Sequence, residues 1–179
     1  MSTEEYNFND WDNEIDVNAV SMSVMKAQAN TGQFEKVPYG TYIVGVDDIN
    51  LGLSKAGQKQ MVVDFVIVDE DSQYQGKSIK AFFGVEYHDA NGDKLKERRV
   101  LGFRIHAAQE FLRSMKTSVD IPRGFHGYGQ LNEKIQAIKA EIAQNGWEYQ
   151  LRFAKENNYD TFAIEAKFEK ADQNDDIPF

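Results

Sequence analysis

The sequence predicts an α+β protein that is mainly β, with five strands and two helices inserted between strands three and four. Three observations predict it. Apolar residues alternate in three stretches between 41 and 85, the hydrophobic period lengthens to that of a helix between about 103 and 145, and alternation returns from 147 to 168.

Residues 1–36 are polar and acidic, and their scattered Trp11, Ile15, Val17, Val20, Met22, Val24 and Met25 match no long helical or alternating template. This stretch is expected to be an acidic N-terminal arm. Val37-Pro38-Tyr39-Gly40 then leads into a β-branched and aromatic run, Thr41 to Asp47, as the first strand. Ser54 to Gly57 reads as a loop. Met61, Val63, Phe65 and Ile67 fall on one face of a second strand, with Asp64 on the other. After an acidic turn over Asp69 to Gly76, Lys77 to Val85 forms a third strand with Gly84 as a bulge or a close backbone approach.

Beyond a polar loop around Gly92, Phe103, Ala107, Phe111, Leu112 and Met115 share a helical face. Ile121-Pro122-Arg123-Gly124 ends that helix. A second helix from about Leu131 carries Leu131, Ile135, Ile138 and Ile142 as its apolar stripe and stops at Asn145-Gly146. The chain then folds back as a hairpin, with Trp147, Tyr149, Leu151 and Phe153 alternating before an Asn157-Asn158 turn and Phe162, Ile164 and Phe168 after it. Three strands, a helical insertion and two more strands is the order of an OB-fold-like barrel, a partly open five-stranded architecture that commonly binds oligonucleotides. The organisation predicted is an arm over 1–36, an OB-fold-like domain over 37–168 and an acidic tail over 169–179.

With 179 residues, 41% of them hydrophobic, the chain can bury one sizeable core. It contains no cysteine, which excludes a disulfide framework, a cysteine zinc site and a thiol nucleophile. No apolar run approaches the roughly 20 residues that span a bilayer, and Met1-Ser2-Thr3-Glu4-Glu5 does not resemble a signal peptide, so a cytoplasmic protein with no membrane association is expected. The net charge of -9 is concentrated at the ends, which leaves residues 20–168 with no net charge. That body is free to present one basic face, although neutrality does not itself predict one.

Catalytic readings find little to stand on. The three histidines, His88, His106 and His126, show no metal-ligand spacing. Gly124 to Gly129 lacks the Gly-Lys-Ser/Thr of a phosphate-binding loop, and the carboxylates Asp47-Asp48 and Asp69-Glu70-Asp71 fall in expected turns. No enzyme activity, metal or cofactor is predicted.

Asp175-Asp176-Ile177-Pro178-Phe179 resembles the acidic tip of bacterial and phage single-stranded DNA-binding proteins, which implies docking onto other DNA-processing proteins. Phe179 suits an apolar pocket, Pro178 pre-sets an extended backbone, and Asp175 and Asp176 suit a basic rim. The tip departs from that family in having Asn174 where a third acidic residue is usual, and the chain lacks a long flexible linker. A tail over 169–179 reaches at most about 35 Å.

A second resemblance covers about residues 37–115. Val37-Pro38-Tyr39-Gly40-Thr41-Tyr42, Leu53 to Gly57, Met61 to Val66, and Tyr74 to Lys77 followed by Phe82-Phe83 look like a family of phage-encoded single-stranded DNA-binding proteins. The resemblance implies an OB-fold and a role in phage DNA replication, recombination or repair, in the cytoplasm of an infected bacterial host. The expected partners are single-stranded DNA and the replication and recombination proteins that read the tip, with a homo-oligomer allowed. The alternative is an adaptor that docks host proteins with little DNA binding of its own.

Single-strand binding without sequence preference requires cations for the backbone and exposed aromatic faces for the bases. Lys80 and Phe82 share one face of strand three, opposite Ala81 and Phe83, so one of the two aromatics faces outward. Arg152 lies opposite the apolar row of strand four. Lys155 and Tyr159 flank the closing turn, and Lys55 and Lys59 flank the first. Arg98 and Arg99, with Arg104, make the densest basic cluster.

Overall fold

The computed structural model describes residues 7–30 and 36–169. The chain divides into two compact units, Met1–Val37 and Pro38–Phe179.

In the first unit, helix α1 spans Phe8–Asn13 and helix α2 spans Val17–Asn30. The sequence reading found no helical template here, and the structure corrects it. Each helix is opened by a local side-chain cap: Asn7 accepts from the Asn9 amide at 3.1 Å, and Asp16 Oδ1 accepts from the Ala19 amide at 3.1 Å. The large apolar side chains of Phe8, Ile15, Val17, Val20 and Met22 are exposed. Val17, Val20 and Val24 do follow a helical spacing, but among the described side chains of these helices none is buried, and the pattern is short.

The second unit is an α+β fold built on one antiparallel sheet. Its elements are β1 Gly40–Leu53, β2 Lys59–Ile67, β3 Ser78–Gly84, α3 Lys94–Ser114, α4 Tyr128–Asn145, β4 Glu148–Glu156 and β5 Tyr159–Phe168. The strand order is β3-β2-β1-β4-β5. Among the described residues β3 and β5 are its edges, and no ladder joins them.

β1 organises the sheet. Gly40 to Gly45 pair with β4, while Val44 to Leu53 pair with β2, so Val44 and Gly45 are paired on both sides. The β2 ladder shifts register between Val46 and Asp48, leaving Asp47 as an extra residue. The bulge re-phases the strand, so that Val44 before it and Ile49 after it both reach the core. The strand therefore runs six residues beyond the Asp47 end expected from simple alternation.

Met61, Val63, Phe65 and Ile67 of β2 are buried with Ile79 and Ala81 of β3 and Tyr149, Leu151 and Phe153 of β4. The four stripe residues of α4 are all buried, and α4 packs on β1. α4 ends at Gly146 with φ 61°, the left-handed conformation that glycine adopts without steric cost. α3 packs against β3 and β5, burying Ile105, Ala108, Gln109, Phe111 and Leu112. Of the stripe expected there, Phe111, Leu112 and Met115 are buried, whereas Phe103 and Ala107 are exposed. The hairpin turn has both Asn157 and Asn158 at positive φ, 49° and 66°, which asparagine tolerates better than most residues.

Candidate nucleic-acid interface

The pleat of β2 and β3 sorts their side chains into a buried face and an open one. Ile79 and Ala81 point into the core, so Ser78, Lys80 and Phe82 are on the open side, where Phe82 is 56% exposed. Register then builds two adjacent rows across three strands. Phe82 is opposite Val62, which is opposite Asn50; Lys80 is opposite Asp64, which is opposite Asp48. The first row offers an aromatic and an amide beside an aliphatic side chain. The second carries one cation and two carboxylates.

These charges are not equivalent. Asp48 is ion-paired with Lys139 of α4 at 2.6 Å. Burial pushes the Asp64 carboxyl above its ordinary value, Lys80 opposes the shift, and Asp47 and Asp48 add to it. Lys80 has no ion pair within 4 Å among the described residues.

Arg152 is on the same face of the sheet. Gly45 is opposite Val66 on one side and Glu148 on the other, and alternation carries that face along β4 to Gln150 and Arg152. The intervening β1 and β2 keep Arg152 out of contact with Phe82, and its guanidinium Nε lies 3.8 Å from Glu165 Oε1. Thr41 and Ile43, beside Arg152 and Gln150, line an open cavity of about 400 Å³ with Tyr74 and the acidic Asp69 and Asp71.

The remaining candidates are distributed around this face. Tyr159 is 76% exposed at the start of β5, opposite Glu156, and so shares the Arg152 side of the hairpin. Lys155, opposite Asp160, alternates to the other side. Lys55 is exposed in the β1–β2 turn. Lys59 is held by Glu86, Nζ to Oε1 at 3.0 Å, with its ammonium 5.7 Å from the Tyr128 ring centroid. Glu86 also accepts from the Lys59 amide at 2.9 Å and contacts His88, and the three contacts hold its carboxyl down at about 2.

Arg98 and Arg99 are exposed on α3, not on the sheet. Arg104 is separated from them: it donates to the Glu86 carbonyl at 2.6 Å and lies over the Tyr87 ring. Asp175, Asp176, Ile177, Pro178 and Phe179, expected from the sequence to dock partners, lie outside the described residues.

Sequence reasoning missed Asn50, Val62 and the Asp48–Asp64 opposition. β2 alternation was the available signal for Val62, but the bulge at Asp47 conceals which β1 residues face it. Among the described residues, no group of three or more histidine or carboxylate side chains is arranged to hold a metal ion. No helix among them is long and apolar enough to cross a membrane.

A family model described as "Protein of unknown function (DUF669)" matches residues 23–140, and the chain belongs to that family. No curated protein matches the chain.

Proposed function

We propose that this protein binds single-stranded DNA on the open face of its sheet and recruits DNA-processing proteins through Asp175–Phe179. The observation that carries the reading is the exposure of Phe82 beside Lys80, a ring for stacking next to a cation for phosphate. The strand order supports it: β3-β2-β1-β4-β5, with β1 shared between β4 and β2 around a bulge, is the order expected of an OB-type sheet left open between strands three and five. The resemblance of the tail to the tips of single-stranded DNA-binding proteins supports the recruiting half, within phage DNA replication or recombination. The proposal contains no catalytic step.

Titrating labelled oligo-dT tests it. Binding is expected to weaken steeply as salt rises, and no binding at low salt would overturn the proposal. Removing Asp175–Phe179 is expected to preserve or strengthen DNA binding while abolishing partner capture. A second reading, an adaptor with little DNA affinity, is favoured by the Asp48–Asp64 pair on the same face. The titration separates the two.

A further inference from the structure

We infer that the outward side of α3, from Leu95 through Arg99 and Phe103 to the cavity beside His106, is a docking site for this chain's own segment Asp172–Phe179. The buried side of α3 is set by Ile105, Ala108 and Leu112. Helical spacing therefore turns Leu95, Arg99, Phe103 and His106 away from the core in successive turns, with Arg98 at their edge. Leu95 is 75% and Phe103 69% exposed. An exposed phenyl ring and an isobutyl group bracketing arginine on an otherwise polar helix side make a small amphipathic surface, suited to a ligand that is both apolar and acidic.

This stripe runs into a concavity. His106, one turn beyond Phe103, also lines a cavity of about 670 Å³ with Gln109, Arg113, Ile121, Pro122 and Arg123, and with the carboxylates Glu110 and Asp120. Its wall is fixed: Gln109 Nε2 donates to the Gly124 carbonyl at 2.9 Å, and Arg113 donates to the carbonyls of Ile121 and Pro122 at 3.2 Å and pairs with Glu110. Arg98, Arg99 and Arg123 have no ion pair among the described residues. Their guanidinium groups are available to carboxylates.

The segment Asp172-Gln173-Asn174-Asp175-Asp176-Ile177-Pro178-Phe179 has the complementary composition, three carboxylates ahead of Ile177 and Phe179. It also starts in the right place. β5 lies against α3, and Lys167 Nζ donates at 2.8 Å to the carbonyl of Lys116, two residues past the end of that helix. From there Phe103 is about 20 Å and Arg99 about 26 Å back along α3. Residues 170–179 span up to about 33 Å when extended, enough to carry Ile177 and Phe179 past the cavity to Phe103 and to bring the Phe179 carboxylate to Arg98 and Arg99, with Asp175 and Asp176 behind them toward the cavity rim and Arg123. Pairing two parallel copies of α3 through Phe103 would bring Arg98 and Arg99 against their equivalents, and an antiparallel pair would leave those arginines without carboxylate partners at positions 107 and 108, which favours the acidic tail over a second copy as the occupant. The inference does not depend on DNA binding.

The chain has no native cysteine, so Asn174→Cys in the full-length protein carries a nitroxide at a single place. Without DNA, the label is expected to broaden the amide resonances of Leu95 to Glu110 and Ile121 to Gly124, unchanged on dilution. In Arg98→Glu/Arg99→Glu and, separately, in Phe103→Ala, that relaxation enhancement is expected to fall about tenfold, the effect of losing roughly 1.4 kcal/mol of docking energy. All three side chains are exposed, so circular dichroism melts serve as the folding control. Uniform or absent broadening along α3, or broadening equal in the variants, would overturn the inference. Broadening seen only between a labelled copy and a separate isotope-labelled copy would also overturn it, in favour of docking between molecules.

Discussion

Asp48 and Asp64 are directly opposed across the β1–β2 ladder, with Lys80 next in the same row. Like charges in this relationship destabilise a sheet, so Asp64→Asn is expected to raise stability by about 0.5 kcal/mol at pH 7 in urea melts. The gain should depend on pH. Because the folded protein holds the Asp64 carboxyl above its ordinary value of 3.8, ionisation opposes folding. Wild type is expected to lose stability relative to the variant as pH rises from 3.8 through the raised folded value, and the difference is then constant. A difference that is flat throughout this range would contradict the assignment. On the proposed function, the variant also removes a carboxylate that repels phosphate beside Lys80 and tightens oligonucleotide binding.

Phe82→Ala is expected to weaken oligo-dT binding about tenfold, the lower part of the range for losing one base stack. Since Phe82 is largely exposed, the melting temperature should hardly change. Lys80→Ala is expected to reduce the slope of log affinity against log salt by about 0.7, the share of one phosphate contact on a single strand. Fluorescence titrations at several salt concentrations check both.

Glu86→Gln tests the contact that anchors β2 to the loop after β3. Glu86 accepts from the Lys59 amide and pairs with its ammonium, and its carboxyl is lowered from 4.5 to about 2. A lowered carboxyl contributes stability above the unfolded value and loses it as pH falls through the folded one. Wild type should therefore exceed the variant at pH 6 and converge with it between pH 4.5 and about 2 in acid melts. A gap that persists at pH 2 would show that the ionised carboxylate is not what stabilises this corner.

Tyr149 is fully buried, and its hydroxyl donates at 2.8 Å to the carbonyl of Met115, tying β4 to the end of α3. Tyr149→Phe is expected to cost about 1–2 kcal/mol because that carbonyl loses its partner. Burial, with Glu141 nearby, pushes the phenol above its ordinary value of 10. Wild type should lose stability as pH rises beyond 10, a component the phenylalanine variant lacks; equilibrium urea melts from pH 8 to 11 measure it.

The parts of the fold legible in the sequence are those in which one period operates without interruption. The α4 stripe from Leu131 to Ile142 and the alternation of β2 predict the buried residues directly. α3 was harder because apolar residues occur around much of its circumference, and packing against β3 selects Ile105 and Ala108 while leaving Phe103 outside. β1 continues past Asp47 because a bulge restores its phase, something periodicity reads as an ending. For the candidate site, the sequence alone does not say whether Phe82 or Phe83 faces outward, and the burial of Ile79 and Ala81 on the other side of β3 fixes Phe82 as the exposed one. The charge opposite Lys80 required cross-strand partners that a linear pattern does not contain.

The sharing of β1 also has a consequence for biosynthesis. Its later half can join β2 as soon as the first hairpin has emerged, and the Ile43 carbonyl accepts from Val68 just beyond β2, but Gly40 to Tyr42 have strand partners only in β4, more than a hundred residues downstream. A nascent chain translated only through α4 carries an unclaimed strand edge, the kind of surface that recruits other chains. Aggregation during expression should accordingly begin at Gly40–Tyr42, and the arrival of β4 is the event that closes that window.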